Sequence, residues 1–436
     1  MISSADLSAY LDGMQSPDVV DRDGPLDSAL RPRRIADTRT SFCHAFKQHT
    51  GVKPSKNDQP NFFKQAQFSP DGTAIVTHNA DESLRTFVLP PDLLDSASQP
   101  HELQPYSTLP SATNVLSYAI YPGFNLADPS TTLILSAPSN LPLRLTNVLD
   151  PSHIPATYPY INSANEAFIA PNSASFIDRG THFVAGSAGR VSVFDVTRQA
   201  GPEFYHNLKA KAGATGMRDT SRIMALSVSS DRLLAAGSTN RNVGIFGNSG
   251  RGACETTFSV AGRMSEATAT KGSGVMSLAW TPDGKYLLVA ERQSDGLHVY
   301  DVRNLLRRVT FLSGRNAKTT QRLGIDVMAT REGCEVWAGG VDGVTRMWKN
   351  PGSTEGEHRF DAEIKMHDDP VSSVVWHPIV AVLATCSGQR SRGQVTAADE
   401  ASSSASDNES HSDDEHPASR QSDNTLKIWD FMQPGS

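Results

Sequence analysis

A repeated order of strands and turns constrains the fold of this chain more than any other feature. Phe68–Leu89 contains the end of an apolar strand, a Ser-Pro-Asp-Gly turn, a second apolar strand, a polar corner and a third, alternating strand. Leu278–Val302 repeats this order closely, and Ala174–Val196 repeats it with an Asp-Arg-Gly turn. Internal repeats of this kind indicate an array of similar structural units.

Four weaker copies bring the total to seven. The third strand of each copy passes through one apolar residue, and these residues are Phe87, Leu145, Phe194, Phe246, Tyr300, Trp348 and Trp429. The first five intervals between them are 48 to 58 residues long, and the last is 81. A WD repeat occupies about 40–45 residues and forms one four-stranded blade. We therefore predict an all-β chain that folds as a seven-bladed WD40-type β-propeller.

The seventh blade needs a strand from elsewhere in the chain. The last copy supplies three strands and stops within a few residues of Trp429, so we expect its outer strand to come from before the first copy. Ser41–Phe46 alternates suitably, and residues 41–47 are predicted to close blade seven. The predicted propeller domain is residues 41–430.

Residues 1–40 form a polar extension that we predict to be mostly disordered. Apolar residues recur there at helical spacing, at Leu7, Tyr10, Leu11 and Met14. An isolated helix of this length is marginal in water. A short helix that docks on a partner therefore stays open as the alternative.

A long acidic tract interrupts the last copy. Residues 391–424 separate its second strand from its third, and without them the last interval matches the others. Ala397–Asn424 holds eight acidic residues and one basic residue, which accounts for the whole formal net charge of −7. Such a tract has almost nothing to bury and is expected to be disordered. It would extend from the face that carries the second-to-third-strand corners and the inter-blade loops, called here the top face.

Basic residues recur at the predicted top-face corners. Arg190, Arg241, Arg292 and Arg390 fall at the second corners of blades three, four, five and seven. Arg303–Arg322 contains six basic residues and no acid, and its second half, with Lys318 and Arg322, leads into blade six. These residues could converge on one rim and attract phosphates. The alternative is that they are ordinary solvated surface charges.

Enzyme chemistry finds little support in the sequence. The chain lacks a phosphate-binding loop, a zinc-protease motif and a nucleophile elbow. Its four cysteines are scattered, without zinc spacing, which is typical of a reducing compartment. No apolar run approaches the roughly 18 residues of a membrane span. We predict a non-enzymatic protein without cofactor, metal site or membrane partner.

Three stretches resemble the telomerase Cajal body protein family of WD-repeat proteins: Asn61–Pro91, Lys318–Val327 and Trp376–Arg390. The first runs from an Asn-Ala-Asp corner into Leu-Pro-Pro, and the last ends in Ala-Thr-Cys-Ser-Gly-Gln-Arg before the acidic insertion. Both are longer than a generic WD turn. Ser117–Phe124 in the divergent second blade also corresponds, so the resemblance covers about Asn61–Trp429.

The resemblance implies a scaffold that binds small nuclear or Cajal-body-type RNA, with telomerase RNA as one candidate, and that assists assembly or localisation of ribonucleoprotein particles. Its implied partners are such RNAs and their proteins, and its implied location is the nucleus, including subnuclear bodies, with some cytoplasmic pool. The matching corners carry over as candidate RNA contacts, namely Asn79, Asp81, Thr320, Gln321, Arg322, Ser387, Gly388, Gln389 and Arg390. Glutamine would read base edges and arginine would bind phosphates. For Gln389 and Arg390 the alternative is that they brace the base of the insertion.

Blade two departs from the family pattern, because Leu145-Thr146-Asn147 stands where Trp-Asp is expected. Other small nuclear RNAs therefore stay open as ligands of a divergent, monomeric propeller. The alternative from another class is a protein–protein adaptor in a nuclear complex, without direct RNA binding, whose basic corners meet an acidic partner.

The acidic tract suggests a regulatory hypothesis. Four serines stand three residues before an acid and are candidate phosphorylation sites, namely Ser404, Ser406, Ser410 and Ser412. Added phosphate would repel RNA from the top face. A solvated spacer without a role in binding is the alternative.

Overall fold

Seven sheets, each built on four antiparallel strands and arranged as the blades of a propeller, form the fold in the computed structural model of this protein. The structure describes residues 31–39, 61–95, 99–208, 219–261, 272–304, 307–389 and 423–431. Helical structure in these ranges consists of three short 3-10 helices, Pro129–Thr131, Asp178–Gly180 and Asn248–Gly250. No helix of the described ranges is long and apolar enough to cross a membrane.

Blades one to four each contain four antiparallel strands in chain order. The strands of blade one are Phe63–Phe68, Ala74–Asn79, Leu84–Val88 and Ser107–Leu109. Those of blade two are Val115–Ile120, Leu133–Pro138, Leu143–Asn147 and Ala156–Tyr158. Those of blade three are Ser173–Ile177, His182–Ser187, Arg190–Asp195 and Phe204–Asn207. Those of blade four are Ile223–Val228, Leu234–Ser238, Asn242–Phe246 and Cys254–Ser259.

Blades five and seven include strands from other parts of the chain, whereas blade six does not. Blade five contains Val275–Trp280, Tyr286–Glu291, Gly296–Asp301 and Arg307–Ser313, with Gly356–Arg359 added in parallel at its edge. Blade six contains Ile325–Thr330, Gly333–Gly339, Val344–Lys349 and Ala362–Lys365. Blade seven contains Val371–Trp376, Val382–Ser387, Leu426–Asp430 and Arg33–Asp37, with His101–Glu102 added in parallel. The two added strands cover sheet edges that would otherwise offer unpaired backbone groups.

The predicted seven-bladed propeller is confirmed. Each of the seven residues used to count the copies, from Phe87 to Trp429, lies on the third strand of its blade. First strands contact one another in six of the seven pairs of neighbouring blades, which places them around a central channel.

The core lies between the blades. Each of the seven buried apolar clusters in the described ranges joins two neighbouring blades. Between blades six and seven, the Trp337 ring centroid lies 5.3 Å from that of Trp376 and 5.4 Å from that of Phe431, both in edge-on geometry. Removing one blade would therefore expose apolar surface on both of its neighbours.

The closing strand lies earlier than predicted. Arg33–Asp37 pairs antiparallel with Leu426–Asp430, and an Arg33 guanidinium nitrogen lies 3.1 Å from an Asp430 carboxylate oxygen. The placement of this strand at residues 41–47 was wrong, and that segment lies outside the described residues. Only Ile35 and Ala36 supply apolar contacts in the true strand, so it carries no alternating pattern to recognise. The propeller therefore begins within the predicted 1–40 extension.

A chain of hydrogen bonds crosses blade seven. The Trp429 indole N–H donates to Thr385 Oγ1 at 2.9 Å, and this oxygen lies 2.8 Å from His367 Nε2. His367 Nδ1 lies 3.1 Å from a carboxylate oxygen of Asp423. Burial lowers the pKa of His367, so the ring is neutral. Thr385 then accepts from tryptophan and donates to histidine, which donates in turn to Asp423.

The hydrogen bond between His367 and Asp423 also bears on where the acidic insertion ends. The prediction ended the insertion at residue 424, but the described fold resumes at Asp423, and Asn424 is fully buried. Burial would raise the pKa of Asp423, yet the hydrogen bond from His367 and the charge of Lys427 hold it well below its usual range. Asp423 is therefore an anchor of blade seven, and not a member of the acidic tract.

Candidate nucleic-acid interface

The loop that precedes blade six, residues 314–324, builds the centre of the top face. It is fixed by Arg315, whose buried guanidinium donates to the carbonyls of Gly339, Leu323 and Gly324 at 2.9–3.1 Å. Burial lowers the pKa of Arg315 to about 10. Within the same loop, the Thr319 carbonyl accepts from the backbone N–H of Gln293, at the second corner of blade five. This blade-six loop and the blade-five corner therefore form one continuous surface.

Two arginines meet at this surface. Arg322 Nη2 donates to the Met224 carbonyl at 2.8 Å, so its side chain reaches from the blade-six loop to the first strand of blade four. Burial and the nearby positive charge of Arg292 lower the pKa of Arg322 to about 10. The Nε of Arg292 is buried and makes no hydrogen bond within the described ranges. Neither arginine forms an ion pair with a described acid, so two cations share the top of the central channel.

Exposed basic residues flank this pair. Lys318 is 73% exposed, with its ammonium 3.9 Å from an Asp295 carboxylate oxygen, and Thr320 is exposed beside it. Arg222 is exposed directly before the first strand of blade four, two residues from the Met224 carbonyl. We define Arg222, Arg292, Lys318 and Arg322 as the top basic cluster. Sequence reasoning missed Arg222 because no other basic residue or motif lies beside it. Its position directly before a first strand is the one feature that indicates a place on the top face.

Gln321 joins the blade-six loop to blade seven. Its Nε2 donates to the Gly388 carbonyl at 2.8 Å, so the loop that leads into blade six contacts the second corner of blade seven. Gly388 has a φ of 127°, and a Cβ there would lie 2.4 Å from Phe62 Cβ, so the position requires glycine. Ser387 is fully buried and accepts from the Thr425 N–H at 3.2 Å, which commits its side chain to the base of the insertion.

Gln389 is half-buried at the point where the described chain stops before the insertion. Arg390 and the candidate phosphorylation sites Ser404, Ser406, Ser410 and Ser412 lie outside the described residues. Their roles stay predictions.

Three predicted RNA contacts are committed to other bonds. Asn79 is fully buried, with its Oδ1 accepting from Thr77 Oγ1 at 3.0 Å. The Asp81 carboxylate accepts from Arg85 Nη1 at 2.9 Å and from Asn61 Nδ2 at 3.1 Å. These two side chains brace the corner of blade one and do not belong to the top basic cluster.

Arg241 is the third such residue. Its guanidinium donates to both carboxylate oxygens of Glu291, at 2.6 and 2.8 Å, and this hydrogen bonding raises its pKa. Arg241 thus links blade four to blade five. Its charge is already neutralised, so it does not belong to the top basic cluster.

Arg190 lies at the edge of blade three. Its Cζ is 4.8 Å from the ring centroid of Tyr205, which is 46% exposed on the outer strand. The pair is a surface cation–π contact away from the central channel.

The arrangement of cations at the top face is chemically suited to an anionic ligand. In the described part of the chain, no group of three or more His, Cys, Asp or Glu side chains could hold a metal ion. Guanidinium groups favour phosphate oxygens because they donate forked, charge-assisted hydrogen bonds. The two central arginines bring their charge without a described counter-anion.

Comparisons with known proteins support the fold and the resemblance. A family model described as "WD domain, G-beta repeat" matches residues 265–300. The chain is 27% identical over 357 residues to "Guanine nucleotide-binding protein negative regulator 1" of Schizosaccharomyces pombe, covering 80% of this chain and 85% of that protein. It is 26% identical over 335 residues to "Telomerase Cajal body protein 1" of Bos taurus, covering 76% of this chain and 58% of that protein.

The human "Telomerase Cajal body protein 1" is 25% identical over 374 residues, which are 84% of this chain and 64% of that protein. The chain thus spans less than two thirds of these bovine and human relatives. The predicted resemblance to the telomerase Cajal body protein family, as a divergent relative, is confirmed.

Proposed function

We propose that this WD-repeat propeller is a non-enzymatic scaffold that binds small nuclear RNA of the Cajal-body type through its top basic cluster. The observation that carries the proposal is the meeting of Arg292 and Arg322 at the channel without a described acid. The similarity to relatives named for telomerase and the Cajal body supports RNA as the anion. We further propose nuclear localisation and a role in ribonucleoprotein assembly, with telomerase RNA among the candidate ligands.

The energetics of the arginine pair favour a phosphate ligand. Burial and mutual repulsion oppose the charged form of Arg322, as its lowered pKa of about 10 reflects. A phosphate between the two side chains would offset both effects. Lys318 and Arg222 would bind further phosphates at the rim, and the exposed Thr320 hydroxyl is placed to meet a base or a ribose.

The test has two stages. Crosslinking and sequencing of RNA bound in cells identifies the ligand, and the purified propeller is then titrated with that RNA at several salt concentrations. The Arg222→Ala/Lys318→Ala variant removes the two exposed basic side chains. It leaves Arg322 in place, because Arg322 also donates a hydrogen bond to the Met224 carbonyl. Each lost phosphate contact is expected to reduce the salt slope by about 0.7 for single-stranded RNA.

A matched control is available on the opposite face. Arg198 and Lys285 are both exposed, so Arg198→Ala/Lys285→Ala removes the same charge away from the top basic cluster. The control should keep the affinity and salt slope of the unchanged protein. Equal losses in the two double variants would refute a defined site and indicate a general charge effect.

The second candidate is a protein–protein adaptor. It is favoured by the similarity to a protein named as a negative regulator of a guanine nucleotide-binding protein, which this chain covers over 85% of its length. In that case the top basic cluster would meet an acidic protein surface. Nuclease-treated protein would then co-purify stable partners, lose them in Arg222→Ala/Lys318→Ala, and crosslink to no specific RNA.

We also propose that the acidic insertion competes with RNA. The Gln321–Gly388 hydrogen bond joins the blade-six loop to the chain three residues before the predicted start of the insertion. Acids leaving the fold at this point would be attracted to the same cations as phosphates. Phosphorylation of Ser404, Ser406, Ser410 and Ser412 would strengthen this competition.

A further inference from the structure

The opposite end of the central channel holds a cavity of about 500 Å³. It opens where the first strands of blades one, two, three and seven end, and we call this opening the bottom mouth. Most of its wall is apolar and consists of Phe68, Ile120, Phe176, Leu226, Val375 and Trp376. Three prolines, Pro70, Pro122 and Pro378, also line it, so much of the wall has a restricted backbone.

Asp326 is the one charged residue among the described residues that line this cavity. Its Oδ2 accepts the Trp376 N–H at 2.7 Å, and its Oδ1 accepts the Val327 N–H at 2.9 Å. No lysine, arginine or histidine of the described ranges forms an ion pair with it. A carboxylate has about four acceptor positions. Two therefore stay open in the cavity, where Gln67, Ser69 and Ser175 are the other polar residues of a mostly apolar wall.

Burial raises the pKa of Asp326 to about 6, because its two backbone hydrogen bonds only partly replace lost hydration. The carboxylate is therefore charged at neutral pH, without a cation to compensate it. A buried charge of this kind is costly to the fold, which makes it a candidate for binding.

We propose that the bottom mouth binds an arginine or lysine side chain of a partner protein, with the cationic head on Asp326 and the methylene stem against the apolar wall. Charge complementarity selects a basic occupant, since Asp326 has no described cation of its own. The shape suits a long side chain, because such stems cover apolar surface while the head keeps its polar partner. Ile379, next to the mouth and 62% exposed, would cover the adjoining peptide.

This site lies on the face opposite the proposed RNA surface, and it does not depend on RNA binding. The two ends of the channel carry opposite requirements, an anion at the top basic cluster and a cation at the bottom mouth. One propeller would then hold an RNA and a protein at the same time.

The first experiment uses Nα-acetyl-arginine amide and Nα-acetyl-lysine amide as probes, followed by ligand-observed NMR on the full-length protein. We expect dissociation constants on the order of 1 mM, as is usual for ligands of this size. The uncharged citrulline counterpart should not bind. Asp326→Asn should weaken binding of the basic probes at least tenfold, whereas Asp92→Asn, at an exposed position, should leave it unchanged.

Two further measurements keep the test decisive if Asp326→Asn folds poorly. Ile379→Arg changes only an exposed side chain and should weaken the probes by placing a cation beside the mouth. In the unchanged protein, probe affinity should fall as the pH drops below about 6, because protonation removes the charge of Asp326. RNA affinity should be the same in Asp326→Asn and Ile379→Arg as in the unchanged protein. Equal binding of arginine and citrulline probes, or full affinity in Asp326→Asn, would overturn the proposal.

Discussion

The hydrogen-bond chain of blade seven allows a sharp test of how the propeller is held together. Thr385 is fully buried, and its hydroxyl accepts from the Trp429 indole and donates to His367. Thr385→Val keeps the shape of the side chain and removes both bonds. The His367 Nε2 is then left buried without a partner, and the indole N–H of the half-buried Trp429 loses its acceptor.

A buried group left unsatisfied costs about 1–3 kcal/mol, so the unpartnered His367 nitrogen alone predicts a loss of about 1–3 kcal/mol in the free energy of unfolding, and the lost Trp429 hydrogen bond adds to it. The matched control is Thr345→Val in blade six. Thr345 is also fully buried, but its Oγ1 makes no hydrogen bond within the described ranges. Replacing this hydroxyl by a methyl group should be neutral or stabilising by about 1 kcal/mol. The same chemical change is thus expected to act in opposite directions in adjacent blades.

Urea denaturation followed by tryptophan fluorescence would compare the two variants. Thr385→Val should lower the midpoint clearly, and Thr345→Val should leave it or raise it. In a double-mutant cycle, Trp429→Phe should cost less in the Thr385→Val background, since the indole has already lost its partner. Equal losses in both threonine variants would refute the reasoning, because packing alone would then explain them.

Three other predictions concern stability and binding. Burial is the leading cause that lowers the pKa of His78, His298, His367 and His377 below 6.5. As the pH falls, the unfolded chain therefore binds protons at these histidines before the folded protein does. The free energy of unfolding, measured from urea midpoints, should accordingly decrease between pH 7.5 and pH 5.5. Gly388→Ala should cost more than Gly356→Ala in thermal denaturation, because both have positive φ but only at Gly388 does a Cβ meet other atoms. Deletion of residues 391–422 should increase RNA affinity at low salt in the same titration used for the top basic cluster, and unchanged affinity would remove the proposed competition.

The sequence revealed the blades because their spacing and turn chemistry repeat. Blade two is instructive, since Asn147 stands where blades three, five and seven carry Asp195, Asp301 and Asp430. Asn147 Oδ1 accepts the Leu149 N–H at 2.9 Å, just as Asp195 accepts the Thr197 N–H at 2.8 Å. Asparagine makes the same local turn as aspartate. The blade was therefore recognisable without its usual ending.

The partners of individual charged side chains could not be predicted from the sequence in the same way. Arg315 and Arg322 share one loop, yet Arg315 binds two carbonyls of this loop and that of Gly339 in blade six, whereas Arg322 reaches across the channel to blade four. Arg241 is neutralised by Glu291, 50 residues away. Such contacts depend on distances between blades, which local sequence does not contain. Only the convergence of the blade-six and blade-seven loops followed from topology.

The pairing of Arg33–Asp37 with Leu426–Asp430 in blade seven also determines when the propeller can close during translation. Arg33 and Asp430 bond across a separation of 397 residues. At about 5–20 residues per second, the ribosome needs roughly 20–80 s to deliver the partner of the closing strand. During this interval Arg33–Asp37 has no sheet to join, and the growing row of blades keeps an open edge. The propeller therefore closes late, and the partly synthesised, open propeller is the state that most needs protection from aggregation.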